Sequence, residues 1–388
     1  MNTDALDPYY GEIPFPLTVN GQVADLHTLK PRGCCATKIE WADHTANPIR
    51  VYDAETKKVG WGCRKISPGC LNCYAETLNG RWGTGAPYTV EGQANQIPFL
   101  DRGVLLRLLK FKPRGPFKQP SGRPIVFLGD MNDLFYGNEM DRKACEAVGA
   151  EFRPVPFEWI DEIVSVAYLR PDIDFIILTK RPDRMLEYFS SNREREKALH
   201  RWAREAGREF AVYTTGYRLD RPWGQTEARW PIPNLWLMTS VENQRQADLR
   251  LPFLVSCPAA ILGVSIEPLI ESVDLSPWMN PTHLGDCSGC TGPRRDVTHQ
   301  GGTNQHPSRT IDWAIVGGES GPGSRPFNDE WARSIRDQCT PHGVAYFAKQ
   351  MGTNPVGVSG PINLKDRKGG DMSEWTDDLR IREFPRCR

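Results

Sequence analysis

The amino-acid sequence predicts an α/β fold with a barrel-like (β/α) architecture, and three observations support this. Short apolar runs recur along the chain, and each run ends in polar residues. Segments with helical patterning, such as 158–170 and 328–339, lie between the runs. The 388 residues also suffice for one large core. Continuous apolar strands that alternate with helices indicate parallel strands covered on both faces.

The apolar runs carry polar side chains at their carboxyl ends, where barrels of this kind place their chemistry. In chain order the runs and their polar ends are 123–135 with Asp130, Asn132 and Asp133; 174–182 with Thr179, Lys180 and Arg181; 234–244 with Ser240, Glu242 and Asn243; 259–269 with Ser265 and Glu267; 311–323 with Glu319 and Ser320; and 343–352 with Lys349 and Gln350. We expect a ring of polar side chains at one end of the strands. For each residue, mutual pairing in a structural network remains the alternative.

The barrel-like domain is expected over residues 37–352, with a first strand at 37–41. Two segments are interpreted as insertions, at about 183–230 and 276–310, and residues 1–36 and 353–388 as irregular extensions. Basic and aromatic residues interleave in the first insertion, a pattern that can bind phosphates and stack bases. Glutamates largely cancel this charge, however, as on an ordinary solvated helix.

Composition narrows the class of protein. The chain carries 48 basic and 48 acidic residues, so no global positive field indicates a nucleic-acid partner. No apolar run approaches the roughly 20 residues of a membrane helix, and the first residues do not resemble a secretory signal. We therefore expect a cytoplasmic protein with no membrane partner and with reduced thiols. The odd total of 11 cysteines also argues against a fully paired disulfide framework.

Three cysteines lie close together in the stretch WGCRKISPGCLNCYAE, residues 61–76, where Cys63, Cys70 and Cys73 form a C-x6-C-x2-C pattern. A structural zinc site is normally closed by four protein ligands. A three-cysteine [4Fe–4S] cluster instead leaves one iron open, and S-adenosylmethionine (SAM) can bind there and be cleaved reductively. The pattern favours an iron–sulfur cluster over zinc or unrelated thiols, although the usual spacing for SAM chemistry is C-x3-C-x2-C.

Several strings of this chain resemble, in order, a phage-associated radical-SAM-like family that is distantly related to spore photoproduct lyase. The strings are TKIEWADHTANPI, GCRKISPGCLNCYAE, LGDMNDLF, LTKRPDRM, LWLMTSVENQ, VSIEPL and IVGGESGPGSRPF. The resemblance covers about residues 37–352. It implies a partial TIM-type barrel, a [4Fe–4S] cluster on Cys63, Cys70 and Cys73, and SAM as cosubstrate. Kinship to the lyase points to a nucleic-acid base as substrate.

If SAM is the cosubstrate, the strand-end residues acquire expected roles from their charge and hydrogen-bonding capacity. The candidates are, for the SAM amine, Asp130, Asn132 and Asp133; for its ribose, Ser240, Glu242 and Asn243; and for its carboxylate, Lys180 or Arg181. The catalytic candidates, expected to face the substrate, are Glu267, Glu319 and Lys349.

A second cysteine and histidine group lies in the later insertion. Cys287 and Cys290 form a C-x2-C half-site, and His299 and His306 follow at a spacing that suits zinc. The expected role is a structural zinc that stabilises a loop-rich segment. An auxiliary iron–sulfur cluster is the less favoured alternative, since it would need more cysteines.

The sequence therefore predicts a radical SAM enzyme that modifies or repairs a base in DNA or RNA and draws electrons from a reductase or a flavodoxin-type donor. One alternative is a zinc-stabilised, non-catalytic nucleic-acid-binding protein. Another is a radical SAM enzyme that acts on a small metabolite or a peptide.

Overall fold

The computed structural model describes residues 34–191, 231–280 and 309–386, a few positions between 195 and 201, and two short strands before residue 24. These residues form two compact units. Unit 1 consists of Met1–Lys65, Cys73–Ile177 and Ser191–Leu235. Unit 2 consists of Ile66–Asn72, Leu178–Ser190 and Trp236–Arg388.

Unit 1 holds the first nine strands and four helices. The strands are β1 Thr18–Val19, β2 Gln22–Val23, β3 Cys35–Ala36, β4 His44–Ala46, β5 Ile49–Asp53, β6 Val59–Gly60, β7 Gln96–Leu100, β8 Ile125–Leu128 and β9 Asp174–Thr179, the last of which continues into unit 2. The helices are α1 Tyr74–Trp82, α2 Arg102–Lys110, α3 Glu139–Ala147 and α4 Phe157–Leu169.

Four of these strands pair in the order β9-β8-β4-β3. The pairs β9–β8 and β8–β4 are parallel, and β3 is antiparallel to β4. Strand β8 is the sequence IVFL, and all four of its residues are buried. Such a run suits a parallel strand covered on both faces.

A second sheet in unit 1 was not predicted from the sequence. Strands β6, β5 and β7 pair in that order, and both pairings are antiparallel. The β5–β7 register runs from Ile49 opposite Leu100 to Asp53 opposite Gln96. Strand β5, IRVYD, is buried along its whole length and is too short for a sustained alternation of apolar and polar residues that would identify it in the sequence.

The expected first strand at 37–41 is wrong, because this segment is a turn and the strand that pairs with β8 is β4. The turn closes with a hydrogen bond from the amide of Ala42 to the carbonyl of Ile39, 3.2 Å. The ammonium of Lys118 donates to that same carbonyl of Ile39 and to the carbonyl of Thr37. These carbonyls are therefore engaged by a side chain and not by a neighbouring strand.

Unit 2 holds the remaining elements. The strands are β10 Leu235–Ser240, whose first residue belongs to unit 1, β11 Ile261–Ile266, β12 Trp313–Gly317, β13 Phe327–Asn328, β14 Ala345–Gln350, β15 Pro355–Gly357 and β16 Gly360–Pro361. The helices are α5 Pro182–Ser190, α6 Gln244–Val255 and α7 Asp329–Cys339.

Four parallel strands of unit 2 pair in the order β14-β12-β11-β10. Their core is aromatic, because the ring of Trp313 meets those of Trp236 and Phe347 edge to face at 5.9 and 6.0 Å. Residues near the carboxyl end of the chain lie along β14. The amide of Ala348 donates to the carbonyl of Ile381, and the amide of Glu383 donates to that of Tyr346.

The described residues thus form a mixed α/β fold with eight mostly parallel strands, four paired in each unit, and seven helices. Each of the predicted apolar runs contains a strand, namely 123–135, 174–182, 234–244, 259–269, 311–323 and 343–352, and both predicted helices are present. In the described ranges, no helix combines the length and the apolar character that a membrane crossing requires.

Candidate functional site

The segment Ile66–Asn72 of unit 2 carries Cys70 and is bonded to the ends of two strands of that unit. A short 3-10 turn spans Pro68–Cys70. The amide of Gly69 in this turn donates to Oε1 of Glu242 at 3.0 Å. A Cβ atom at position 69 would lie 3.0 Å from Cδ of Glu242, so the close approach suits glycine. Glu242 lies two residues beyond β10, which places the turn at the carboxyl end of that strand.

The same segment is held from a second side by residues that follow β12. The Nδ2 of Asn72 donates to Oε2 of Glu319 at 3.0 Å and to the carbonyl of Gly323 at 3.1 Å. The Nη1 of Arg325 donates to the carbonyl of Pro68 at 2.9 Å. We call Asn72, Glu319 and Arg325 the outer clamp of the segment.

The pKa of the Cys70 thiol is lowered. Burial alone would raise this pKa, but the positive charge of Lys180 and hydrogen bonds from Ile66 and Ser67 outweigh it. The hydroxyl of Ser67 lies 3.8 Å from the sulfur. Thiolates, and not thiols, act as metal ligands and nucleophiles, so the setting of Cys70 prepares it for such a role.

Glu242 is fully buried and ionised. Burial raises its pKa, but the charges of Arg250 and Lys180 lower it more, so that the net shift is downward. The guanidinium of Arg250 lies 3.0 Å from Oε2 of Glu242 and also donates to the carbonyl of Ser240. The buried carboxylate therefore has a charged partner on one oxygen and the Gly69 amide on the other.

Glu319 is paired in a similar way with Arg325. The guanidinium donates to both carboxylate oxygens, at 2.6 and 3.1 Å, and the backbone amide of Arg325 donates to Oε2 at 2.9 Å. Burial raises the pKa of Glu319, but the bonds from Arg325 and Asn72 lower it further than burial raises it. The carboxylate is thus committed to the outer clamp.

Glu267 and Lys349 form an ion pair at 2.7 Å. The hydroxyl of Ser265 donates to Oε2 of Glu267 at 3.4 Å. Gly317 at the end of β12 leaves room for this carboxylate, because a Cβ there would lie 2.7 Å from Oε1. Two of the catalytic candidates are thus paired with each other, which matches the alternative that strand-end residues form a structural network.

The other strand-end candidates of unit 2 differ in how accessible they are. Arg181 is only 1% exposed, and Ser240 is also buried. The side chain of Asn243 accepts from the amide of Gln246 at 2.9 Å and so caps helix α6. The charge of Lys180 acts on both Cys70 and Glu242.

In unit 1, Cys63 and Cys73 pack against one apolar cluster whose buried members include Trp61, Tyr88 and Met131. Burial and then the neighbouring Cys63 and Cys73 raise the pKa of Tyr88. Cys73 also precedes helix α1 as its N-cap residue, and the N-terminus of a helix favours negative charge.

The three candidates for the SAM amine follow β8 in unit 1 and are bonded to the protein. The Nδ2 of Asn47 donates to Asp130 at 2.6 Å, and burial raises the pKa of this aspartate despite that bond. The Nδ2 of Asn132 donates to the carbonyl of Ile49, and Asp133 accepts from the amide of Phe135.

A cavity in unit 1 adjoins Cys63. Its empty space is about 670 Å³ with open solvent included. Its walls include Cys63, Asn132, Asp133, Gln96 and Tyr136. Two of the three expected SAM-amine residues of unit 1 therefore border the same space as one cysteine of the motif.

Within the ranges that the structure describes, no group of three or more His, Cys, Asp or Glu side chains is arranged to hold a metal ion. The predicted zinc ligands Cys287, Cys290, His299 and His306 lie outside the described residues, and that site stays a prediction. The lone cysteines Cys145, Cys257 and Cys339 are buried, as expected for core residues.

Sequence reasoning missed the clamp residues Asn72 and Arg325 and the buried partner Arg250. Asn72 lies inside the cysteine motif, so its proximity to two cysteines was the one available signal. Arg325 and Arg250 follow polar strand ends by several residues, and nothing in their immediate sequence sets them apart from surface arginines.

No curated protein and no solved structure matches this chain. A family model described as a protein of unknown function (DUF5131) matches residues 36–374. Since that match spans most of the 388 residues, the chain belongs to the DUF5131 family.

Proposed function

We propose that this chain is a radical SAM enzyme on a partial TIM-type barrel. A [4Fe–4S] cluster on Cys63, Cys70 and Cys73 would bind and cleave SAM and so begin hydrogen abstraction from a nucleic-acid base that is modified or repaired. A reductase or a flavodoxin-type protein would deliver the electrons.

The observation that carries this proposal is the setting of Cys70. Its thiol has a lowered pKa, and its segment is bonded to residues that follow the parallel strands β10 and β12. In α/β barrels, chemistry lies at the carboxyl ends of the strands. A cysteine that serves only as a core residue needs neither a neighbouring cation nor such fixed backbone.

The donor set suits an iron–sulfur cluster. Cys63, Cys70 and Cys73 lie within eleven residues of chain. Two of them pack against an apolar cluster of the kind that shields metal centres from solvent. When bound, the cluster would supply the electron that cleaves SAM.

The chain's own residues would bind and orient the cosubstrate and substrate. Lys180 is the better candidate for the SAM carboxylate, because Arg181 is almost wholly buried. Ser240 and Asn243 remain the candidates for the ribose, and Asp130, Asn132 and Asp133 for the amine. The Glu267–Lys349 pair would face the substrate, where it can hold a proton at Nζ of Lys349.

The test is anaerobic reconstitution with iron and sulfide, followed by reduction with dithionite in the presence of SAM. We expect about four irons per chain, as a [4Fe–4S] cluster requires, and formation of 5′-deoxyadenosine. Both should be lost in Cys63→Ala, Cys70→Ala and Cys73→Ala.

The matched control is Cys35→Ala, since Cys35 is exposed and lies outside the motif. This variant should keep both the iron and SAM cleavage. Stoichiometric zinc at the motif with no iron and no cleavage would overturn the proposal and favour a zinc-stabilised binding protein.

A further inference from the structure

The outer clamp connects the cysteine segment with the chain beyond β12. Asn72 lies inside the motif, and its Nδ2 donates to Glu319 and to the carbonyl of Gly323. Arg325 donates to the carbonyl of Pro68 on the other side of Cys70. Three hydrogen bonds with residues after β12 therefore fix the backbone two positions before Cys70 and the side chain two positions after it.

The clamp is also internally bonded. Arg325 makes two guanidinium bonds and one backbone bond to Glu319. Bidentate arginine–carboxylate pairs are geometrically specific, so each partner fixes the direction of the other. Glu319 has one oxygen shared between Asn72 and Arg325, and this leaves the carboxylate little freedom to turn toward a substrate.

The charge that lowers the pKa of Cys70 comes from a different group. Burial raises the pKa of Cys70. The positive charge of Lys180 is the largest effect that lowers it, followed by hydrogen bonds from Ile66 and Ser67. Placement of the thiol and its ionisation are therefore assigned to separate residues of unit 2, and they can be changed separately.

We propose that Asn72, Glu319 and Arg325 are positioning residues that hold Cys70 in place and do not themselves act on the substrate. This inference names a role within the proposed function, since it treats Cys70 as a cluster ligand. The clamp itself is a property of the metal-free chain and can be tested without iron or SAM.

The experiment measures alkylation of Cys70 by iodoacetamide in the metal-free chain, followed by peptide mass spectrometry as a function of pH. In Arg325→Met the segment loses its bond at Pro68 and the orientation of Glu319. A loss of one to two hydrogen bonds increases local opening by about tenfold, so we expect a rate about tenfold higher. The pH midpoint of the reaction should stay where it is in the native chain, because Lys180 is retained.

Arg336→Met is the matched control. Arg336 also lies in unit 2, its side chain is 20% exposed against 24% for Arg325, and it pairs with Asp378 at 2.6 Å. It makes no contact with the cysteine segment in the hydrogen bonds and ion pairs of the described residues. The alkylation rate of Cys70 should therefore be unchanged in this variant.

A second variant, Asn72→Leu, tests the clamp from the segment itself and leaves the Glu319–Arg325 pair intact. It should raise the alkylation rate of Cys70 and the hydrogen exchange of residues 69–72 by a similar factor. The proposal is overturned if neither variant changes the rate more than Arg336→Met does, or if Arg325→Met moves the pH midpoint without changing the limiting rate.

The two proposals can fail separately. Faster alkylation in Arg325→Met together with a chain that takes up no iron would keep the clamp and reject the enzyme. Iron uptake and SAM cleavage with an unchanged alkylation rate would keep the enzyme and reject the clamp.

Discussion

The strand ends of unit 2 and the cavity wall of unit 1 differ in how their polar groups are paired. In unit 2, the carboxylates of Glu242, Glu319 and Glu267 at the strand ends are each paired with a basic side chain. In unit 1, beside the cavity, Gln96 is 2% exposed and its Oε1 has no hydrogen-bond partner among the described residues. The Oδ1 of Asn132 is also buried and has no hydrogen-bond partner among the described residues.

This difference has a physical meaning. A buried polar atom without a partner destabilises the fold, and such atoms in native proteins call for an explanation. The amide nitrogens of Gln96 and Asn132 are bonded to Asp53 and to the carbonyl of Ile49, so their oxygens are the atoms left over. The carboxylates at the strand ends of unit 2 are thus paired, whereas the cavity wall of unit 1 contains two acceptors without a partner among the described residues.

The largest expected effect is on stability and comes from Glu242→Gln. The substitution keeps an acceptor for Gly69 but leaves the charge of Arg250 buried without its partner. Breaking one side of a buried ion pair destabilises by about 3 kcal/mol. Urea unfolding measures this loss, and a change as small as that of the exposed Glu330→Gln would contradict the assigned pairing.

The pH dependence of that loss checks its cause. Because the folded-state pKa of Glu242 lies below its ordinary 4.5, its contribution to stability is fully present above pH 4.5. The contribution disappears as the pH falls through the folded-state pKa. The difference between the native chain and Glu242→Gln should therefore shrink as the pH falls below 4.5.

An intermediate effect separates two glutamines, one from each unit. Gln338 of unit 2 uses both ends of its amide, accepting from the amide of Leu275 and donating to the carbonyl of Val273. Gln338→Met leaves both groups without partners and should destabilise by about 2 kcal/mol. Gln96→Met removes the donor to the buried Asp53 but also removes an oxygen that had no partner, so its net loss should be smaller, about 1 kcal/mol. Equal losses in denaturant melts would remove the contrast between the two glutamines.

The smallest effect concerns ionisation of one thiol. In Lys180→Met the pKa of Cys70 should rise, since Lys180 is the main group that opposes the effect of burial. The pH midpoint of Cys70 alkylation should move upward, and the limiting rate at high pH should not change. Lys368→Met removes an exposed lysine of the same unit and should leave the profile as it is. An unmoved midpoint in Lys180→Met would mean that the lowered pKa has another origin.

Much of the fold was readable from the sequence. The apolar runs before Gly129, Lys180, Val241, Glu267 and Gly318 each contain a strand. Long buried strands are specified by local composition, because a parallel strand covered on both faces tolerates few polar residues. The helices at 157–169 and 329–339 have equally clear patterns.

The remaining features depend on contacts between distant residues. The turn at 37–42 is bonded through its carbonyls to the ammonium of Lys118. Because Lys118 lies about 80 positions away, the local sequence does not predict this contact. The outer clamp likewise joins residues separated by about 250 positions. The sequence could indicate which strand ends carry charged groups, but not which of those groups form ion pairs with other side chains of the protein.

The segment that lies along β14 has a consequence for handling the protein. Strand β14 is the last in the order of unit 2, and residues 381–383 engage its backbone through Ala348 and Tyr346. An uncovered edge strand offers a template for another chain, which leads to aggregation. Arg382 adds to the cover, because its guanidinium lies over the rings of Phe347 and Trp375. By covering this edge, residues 381–383 should reduce self-association of the protein. An affinity tag is therefore better placed away from them.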